Sequence, residues 1–269
     1  PEGFDATILQ KEAVSGGVIH VARDAGRLQA MQAALDFFAP DLPVFNFPAW
    51  DCLPFDRVSP NADISATRMA SLASFITKMP KNYVVMTTLS GACQRVPARA
   101  TLKDSVFHAK VQSRVDEKAL RAVLVRMGFV QTPTVMEAGD YAIRGGILDI
   151  FPPGDSGPIR LDFFGDTLDG IRQFDPATQR TTKSLDSVEL SPVSEVILDE
   201  ASIRRFRQNY RIEFGAVGTD DPLYEAVSAG KKYQGVEHWL PFFHQSMETL
   251  FDYLPDASVV LDDQSTGVR

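Results

Sequence analysis

The sequence predicts an α/β fold: a parallel-sheet domain laid down in two segments and interrupted by a small α+β domain with an antiparallel sheet. Three observations predict it. Over the first third, short β-rich apolar runs alternate with stretches whose apolar residues recur at helical spacing, the pattern of a mostly parallel sheet with helices on its faces. From about Val106 the chain turns to strands closed by tight turns, the grammar of antiparallel pairing. Near the C-terminus, Ser258–Leu261 repeats the apolar strand of the first third.

Gly17–Ala22 (GVIHVA) is the first strand. Asp24 follows, and its carboxylate can accept from the free amides at a helix start; Leu28, Met31, Leu35 and Phe38 then recur at helical spacing. Asp41-Leu42-Pro43 turns the chain into a second strand, Val44–Phe47. A Pro-rich loop over 48–60 (PAWDCLPFDRVSP) leads to a helix over about 64–77 carrying Met69, Leu72 and Ile76. Tyr83–Thr87 is the third strand.

Asp116 opens the insert's helix, which carries Leu120, Val123, Leu124 and Met127, and Gly128 stops it. Strand-like runs follow over Tyr141–Phe151, Ile159–Phe164 and Leu168–Phe174, punctuated by Pro152-Pro153-Gly154 and Gly165-Asp166. From Asp199 the pattern is helical again, with Ile203, Phe206, Tyr210 and Phe214 on one face and Gly215 at the end. Asp221-Pro222 is a cap with proline at the first helical position, Gly230 ends that helix, and a further helix over about 246–254 leads into Ser258–Leu261. The resulting boundaries are 1–113 for the first α/β segment, 114–193 for the inserted α+β domain and 194–269 for the second α/β segment.

Composition narrows the function. The 269 residues are 44% hydrophobic and 23% charged, ordinary for a soluble globular protein. No apolar run approaches the roughly 18 residues that span a bilayer, and PEGFDATILQKE lacks the basic start and apolar centre of a signal peptide. No membrane partner is expected. The absence of an initiator Met suggests an excerpt of a longer chain, with the second α/β segment truncated at its C-terminal end. Cys52 and Cys93 have no ligand-like spacing, so they read as reduced thiols of a cytoplasmic protein. With 35 acids against 27 bases the net charge is −8, a poor balance for binding a phosphate backbone, although Arg144, Arg160, Arg172 and Arg180 lie close in sequence and could form a local basic patch.

Searching for chemistry gives mostly exclusions. The phosphate cradle GxxxxGK[ST] of nucleotide triphosphatases is absent, and Ser15-Gly16-Gly17 has no following lysine. Asp262-Asp263 ends a strand where such enzymes hold magnesium through water; a strand end entering a solvated loop gives the same residues. His20, His108, His238 and His244 form no ligand set, no GxSxG elbow is present, and Cys52 has no local basic partner except Arg57. No catalytic residue, metal ligand or cofactor site is expected within this chain.

One strand breaks the usual pattern. Ile159, Leu161 and Phe163 alternate with Arg160, Asp162 and Phe164, so a large aromatic shares a face with an arginine and an acid. Spacing alone leaves two readings: a second layer covers that face and Phe164 is core, the commoner case, or Phe164 is a contact residue, since Arg and aromatics are enriched at binding hot spots.

Several segments together resemble one family. FPAWDCLPFDRVSPNADISATRMASL, TTLSGACQRVP, GDYAIRGGILDIFPPG, RLDFFGDTLDGIRQFDPATQRT, LSPVSEV and LFDYLPDASVVLDD are similar, in order and over nearly the whole chain, to the N-terminal UvrB-like region of bacterial transcription-repair coupling factors, the Mfd family. The resemblance implies a degenerate P-loop, helicase-like fold: the phosphate loop of UvrB is missing, and Asp262-Asp263-Gln264 stands where UvrB-like proteins carry DES, making Asp262 and Asp263 a degenerate Walker B remnant. It implies a recruiting module rather than an enzyme. The inserted domain would bind the excision-repair subunit UvrA through residues matching Arg144 of the Y-A-x-R-G motif and Arg160 and Phe164 of RLDFF. The full-length protein would be an ATP-dependent DNA translocase that displaces stalled RNA polymerase. Its ATP and magnesium sites and its contacts with RNA polymerase and double-stranded DNA would lie downstream, and a C-terminal autoinhibitory domain of the same chain would cover the UvrA surface. The alternatives that stay open are a nucleotide-hydrolysing domain and a DNA-contacting domain that uses the sheet arginines.

Overall fold

The computed structural model describes residues 2–54, 56–77, 79–103, 105–215 and 221–262. The protein is mixed α/β: its described residues form a four-stranded parallel sheet, a six-stranded, mostly antiparallel sheet and two two-stranded antiparallel sheets, and its contacts divide it into two compact units. The first comprises Pro1–Asp51, Ser71–Arg99 and Met247–Arg269; the second comprises Cys52–Ala70 and Ala100–Ser246.

The first unit is built on a four-stranded parallel sheet in the order Ser258–Leu261, Gly17–Ala22, Tyr83–Thr88, Val44–Phe47. Gly17–Ala22 is buried along its whole length, as a central parallel strand covered on both faces must be. A Cβ at Gly17 would stand 2.0 Å from the Tyr83 ring, which would have to move to admit it. The helices Glu2–Ala13 and Ala25–Phe38 pack Ala6, Leu9, Ala13, Met31 and Leu35 against Val18, Val84 and Met86. Asp24 caps the second of these, accepting from the Arg27 amide at 2.8 Å.

The second unit contains a six-stranded sheet in the order Thr181–Leu185, Thr167–Phe174, Ile159–Phe164, Ile147–Ile150, Asp140–Arg144, Val130–Gln131. All neighbours are antiparallel except the short last pair. Its inner face carries Tyr141, Leu148, Ile150, Ile159, Leu161, Leu168 and Ile171 against Leu120 and Leu124 of the helix Glu117–Arg126. In the helical part of the same unit, Phe206 of Glu200–Phe214 stacks on Phe243 at 4.7 Å, and Tyr210 donates to Asp221 at 2.6 Å. Arg68 and Glu195 form a fully buried ion pair at 2.6 Å, and the Glu195 carbonyl lies 2.9 Å from His244 Nε2.

Two sequence expectations need correction, and one element was missed. The run read as one strand over Tyr141–Phe151 is a hairpin, Asp140–Arg144 and Ile147–Ile150, turned by Gly145-Gly146 with Gly145 at φ +61°. The helix expected over about 246–254 is confined to Leu250–Tyr253, because Met247–Glu248 pairs instead with Val96–Pro97. The helix Glu2–Ala13 was not anticipated.

Candidate functional site

The strand Ile159–Phe164 is regular: its pairing with Ile147–Ile150 advances one residue at a time, and the irregularity in this region falls on the neighbouring strand between Leu168 and Gly170. Side-chain parity therefore holds. Ile159 and Leu161 are buried, and Arg160, Asp162 and Phe164 point to the opposite face. Phe164 is 83% exposed, so the core reading that spacing alone favours is wrong.

Two tight hairpins bring the exposed residues together. Arg144 opposes Ile147 across Gly145-Gly146, and Phe164 opposes Thr167 across Gly165-Asp166. A glycine at the first central position with positive φ suits two-residue hairpin turns; Gly145 has φ +61° and Gly165 φ +62°. Ile147 also opposes Asp162, and the Phe163 amide donates to the Gly146 carbonyl at 2.7 Å. Both hairpins thus lie at one end of the sheet, which places Arg144, Ile147, Asp162 and Phe164 in one outer-face patch. Arg144 is exposed and donates to the Pro133 carbonyl at 3.1 Å and Thr134 Oγ1 at 3.4 Å.

Arg160 sits one pair further in and is bound more firmly. Its Nε and Nη2 donate to the two oxygens of Asp149 at 2.7 and 2.8 Å, and its guanidinium carbon lies 4.6 Å over the Phe174 ring. The bond to Asp149 raises the guanidinium's pKa above its ordinary value, against the opposing effect of burial. Phe174 is itself buried on this face with Val135 and Ala142. Arg172 pairs with Asp162 at 2.5 Å. The outer face is therefore divided: an apolar cluster beneath Arg160 at one end, and an exposed aromatic beside an arginine at the hairpin end. Sequence spacing does not reveal Asp149 and Phe174 as supports of Arg160; the strand register was the missing information.

The acid pair behaves differently. Asp262 follows the strand that lies parallel to Gly17–Ala22. Its carboxylate accepts from the Arg23 amide at 3.2 Å and from Arg27 Nε at 3.2 Å, and Arg27 also holds Asp5 at 2.5 Å. Asp263 lies outside the described residues. Between the strand Gly17–Ala22 and the helix Ala25–Phe38 stand only Arg23 and Asp24, and the Asp24 carboxylate occupies the helix N-terminus. Its pKa is lowered by the Arg27 amide and then by the Arg23 side chain. His20, buried beside Asp262 at 3.9 Å, has its pKa lowered chiefly by burial.

Among the described residues no group of three or more His, Cys, Asp or Glu could hold a metal ion, and no helix is long and apolar enough to cross a membrane. Neither Cys52 nor Cys93 forms a disulfide. Cys52 Sγ lies 3.9 Å from His238 Nε2, a proximity the sequence spacing hides, and that nitrogen also lies 3.1 Å from the Val58 carbonyl. A cavity of about 590 Å³ beside them is lined by Arg57, Asp221, Tyr233 and Trp239, among others; none of Arg144, Arg160 or Phe164 reaches it.

Comparison with known proteins gives one family over most of the chain. The family model described as "UvrB interaction domain" matches residues 107–196, which contain the entire patch. A transcription-repair-coupling factor of Haemophilus influenzae is 37% identical over 83% of this chain and 20% of its own length. Proteins of the same name from Escherichia coli and Rickettsia prowazekii are each 33% identical, over 96% and 92% of this chain and 22% of their own lengths. The chain spans about a fifth of the length of the curated relatives it matches.

Proposed function

The chain belongs to the transcription-repair-coupling factor family, and we propose that it is the module by which such a factor recruits UvrA to RNA polymerase stalled at DNA damage. The observation that carries this is Phe164: an aromatic 83% exposed on a strand face shared with Arg144 and Arg160, inside the segment matched by the UvrB interaction domain. Hot spots concentrate Arg and aromatics in a centre that loses its water on binding, ringed by polar groups. Arginine also suits carboxylates through bidentate bonds, so the partner surface would be acidic. The docking residues in this reading are Arg144, Arg160 and Phe164, within an inserted domain over 114–193. ATP, magnesium, polymerase and duplex DNA belong to other parts of a full-length, cytoplasmic ATP-dependent translocase, whose C-terminal domain covers this surface until the motor engages.

Two features weigh against a nucleotide-hydrolysing reading. A phosphate loop needs several backbone amides free between strand and helix, and here Arg23 and Asp24 fill that interval with a carboxylate already on the amides. The acid that would hold magnesium is bonded to Arg27. This supports a degenerate P-loop-like fold. A DNA-contacting reading is weakened because Arg160 and Arg172 are bonded to Asp149 and Asp162.

The test is capture of purified UvrA by the chain. The wild type is expected to retain it, and Arg144, Arg160 and Phe164 variants are expected to lose it while keeping their circular dichroism spectrum. Equal capture by all of them would refute the proposal.

A further inference from the structure

Arg160 is held in a way that the other arginines of its face are not. Asp149 lies directly opposite it in the strand register and is only 2% exposed. A buried carboxylate is retained only with good partners, and Asp149 finds both of its bonds in one guanidinium. Such fork-to-fork pairing fixes the plane of the arginine as well as its position. The Phe174 ring closes the guanidinium from beneath at 4.6 Å. Nη1 has no partner among the described residues, and the Arg160 side chain keeps 19% of its surface. By contrast, Arg144 bonds only to a carbonyl and a hydroxyl, and the Arg172 side chain is 45% exposed in its pair.

We infer that Asp149 is a positioning residue of the docking face: it locks Arg160 so that the free Nη1 edge is presented, already ordered, to a carboxylate or carbonyl oxygen of the partner. This rests on the UvrA-docking reading above. Immobilising a long side chain on binding is costly, and a clamp built into the free protein removes that cost beforehand. The partner chemistry is narrowed accordingly. Asp149 takes the Nε–Nη2 side of the guanidinium, which leaves its Nη1 end, including the second N–H of Nη2, for a carboxylate or carbonyl oxygen of the partner.

Calorimetric titration of UvrA with the wild type, Asp149→Asn, Arg160→Ala and the double variant tests this. Asn keeps the shape of Asp149 and removes its charge. Asp149→Asn is expected to weaken docking about tenfold, and to add less than about threefold when Arg160 is already Ala, the non-additivity of residues acting through one group. An equal loss in both backgrounds would mean a merely structural role and overturn the inference. So would wild-type affinity, or a gain from an arginine freed to seek the partner's acid. Phe164→Ala separates the two claims: if it weakens docking while Asp149→Asn keeps wild-type affinity, the docking reading stands and the positioning role falls. If the wild type does not bind UvrA, both fall. A readout without UvrA is the Arg160 Nε–H resonance, expected to be protected from exchange in the wild type and unprotected in Asp149→Asn; an unprotected wild-type resonance also overturns the clamp. Should Asp149→Asn fail to fold, Phe174→Leu loosens the same guanidinium from below, with a loss of about threefold expected and unchanged affinity contradicting the inference.

Discussion

Arg160→Glu places an acid where a cation now bridges Asp149 and the outer surface. It leaves Asp149, 2% exposed, facing a like charge. UvrA docking is expected to weaken by at least about 2 kcal/mol, the hot-spot range, with part of the change appearing as lower stability; titration beside a urea melt separates the two. The buried Arg68–Glu195 pair obeys the same rule away from any docking surface. Arg68→Met removes the guanidinium that the buried Glu195 carboxylate pairs with, Glu195 being 3% exposed as a residue, and should cost about 3–5 kcal/mol of folding stability without altering UvrA affinity per folded molecule. A urea midpoint close to wild type would contradict that account. At this scale the sequence carries the parity of Phe164 but not its exposure. Parity is a local property of a regular strand, whereas exposure depends on what else covers the face. Val135 and Phe174 are buried at one end of the face, whereas Phe164 at the other is left open.

Elements were legible where a local signal determines them. Asp24, Asp116 and Asp221 each cap a helix as expected, and Asp199, where the helical pattern resumes, caps one as well. Asp199→Ala should cost about 1 kcal/mol, read from the thermal or urea transition, because it breaks a capping box in which Asp199 and Ser202 bond each other's backbone. No change would mean that the box adds nothing to the folded state. The unanticipated helix Glu2–Ala13 had no such signal. Its buried residues include Ala6 and Ala13, while Phe4 and Ile8 are exposed, so the apolar periodicity does not follow the buried face. The Gly145-Gly146 turn was hidden because the apolar alternation of Tyr141 and Ile143 resumes after it in Leu148 and Ile150. Met247–Glu248 pairs with residues about a hundred and fifty positions earlier, and no local pattern encodes a partner at that distance.

The charge state of the whole molecule sets its pH response. His20 and His244 are buried, and burial is the largest cause holding both below the ordinary histidine pKa of 6.5. Below that value the unfolded chain binds protons that the folded chain refuses, so stability is full above about pH 6.5 and declines as pH falls toward the folded pKa values. Tyr210 acts at the other end: burial, then its bond to Asp221, pushes its phenol up to about 12 from 10.0. The unfolded chain ionises first there, and stability declines as pH rises between those values. Urea midpoints should therefore fall on both sides of neutrality, and a flat profile between about pH 7.5 and 5 would contradict the histidine account. Millimolar ATP with magnesium should leave the thermal midpoint unchanged, since a ligand that binds the folded state raises it and the strand-to-helix turn at Arg23-Asp24 is already filled.

The most direct measurement of the central claim is a calorimetric titration of purified UvrA with the wild-type chain and with Phe164→Ala. Phe164 is exposed and turns on a two-residue hairpin, so its removal should leave the fold and its melting curve intact. The expected result is saturable binding by the wild type and a loss of at least about 2 kcal/mol in the variant. Equal affinity of the two proteins, both folded, would contradict the assignment of this sheet face as the docking surface.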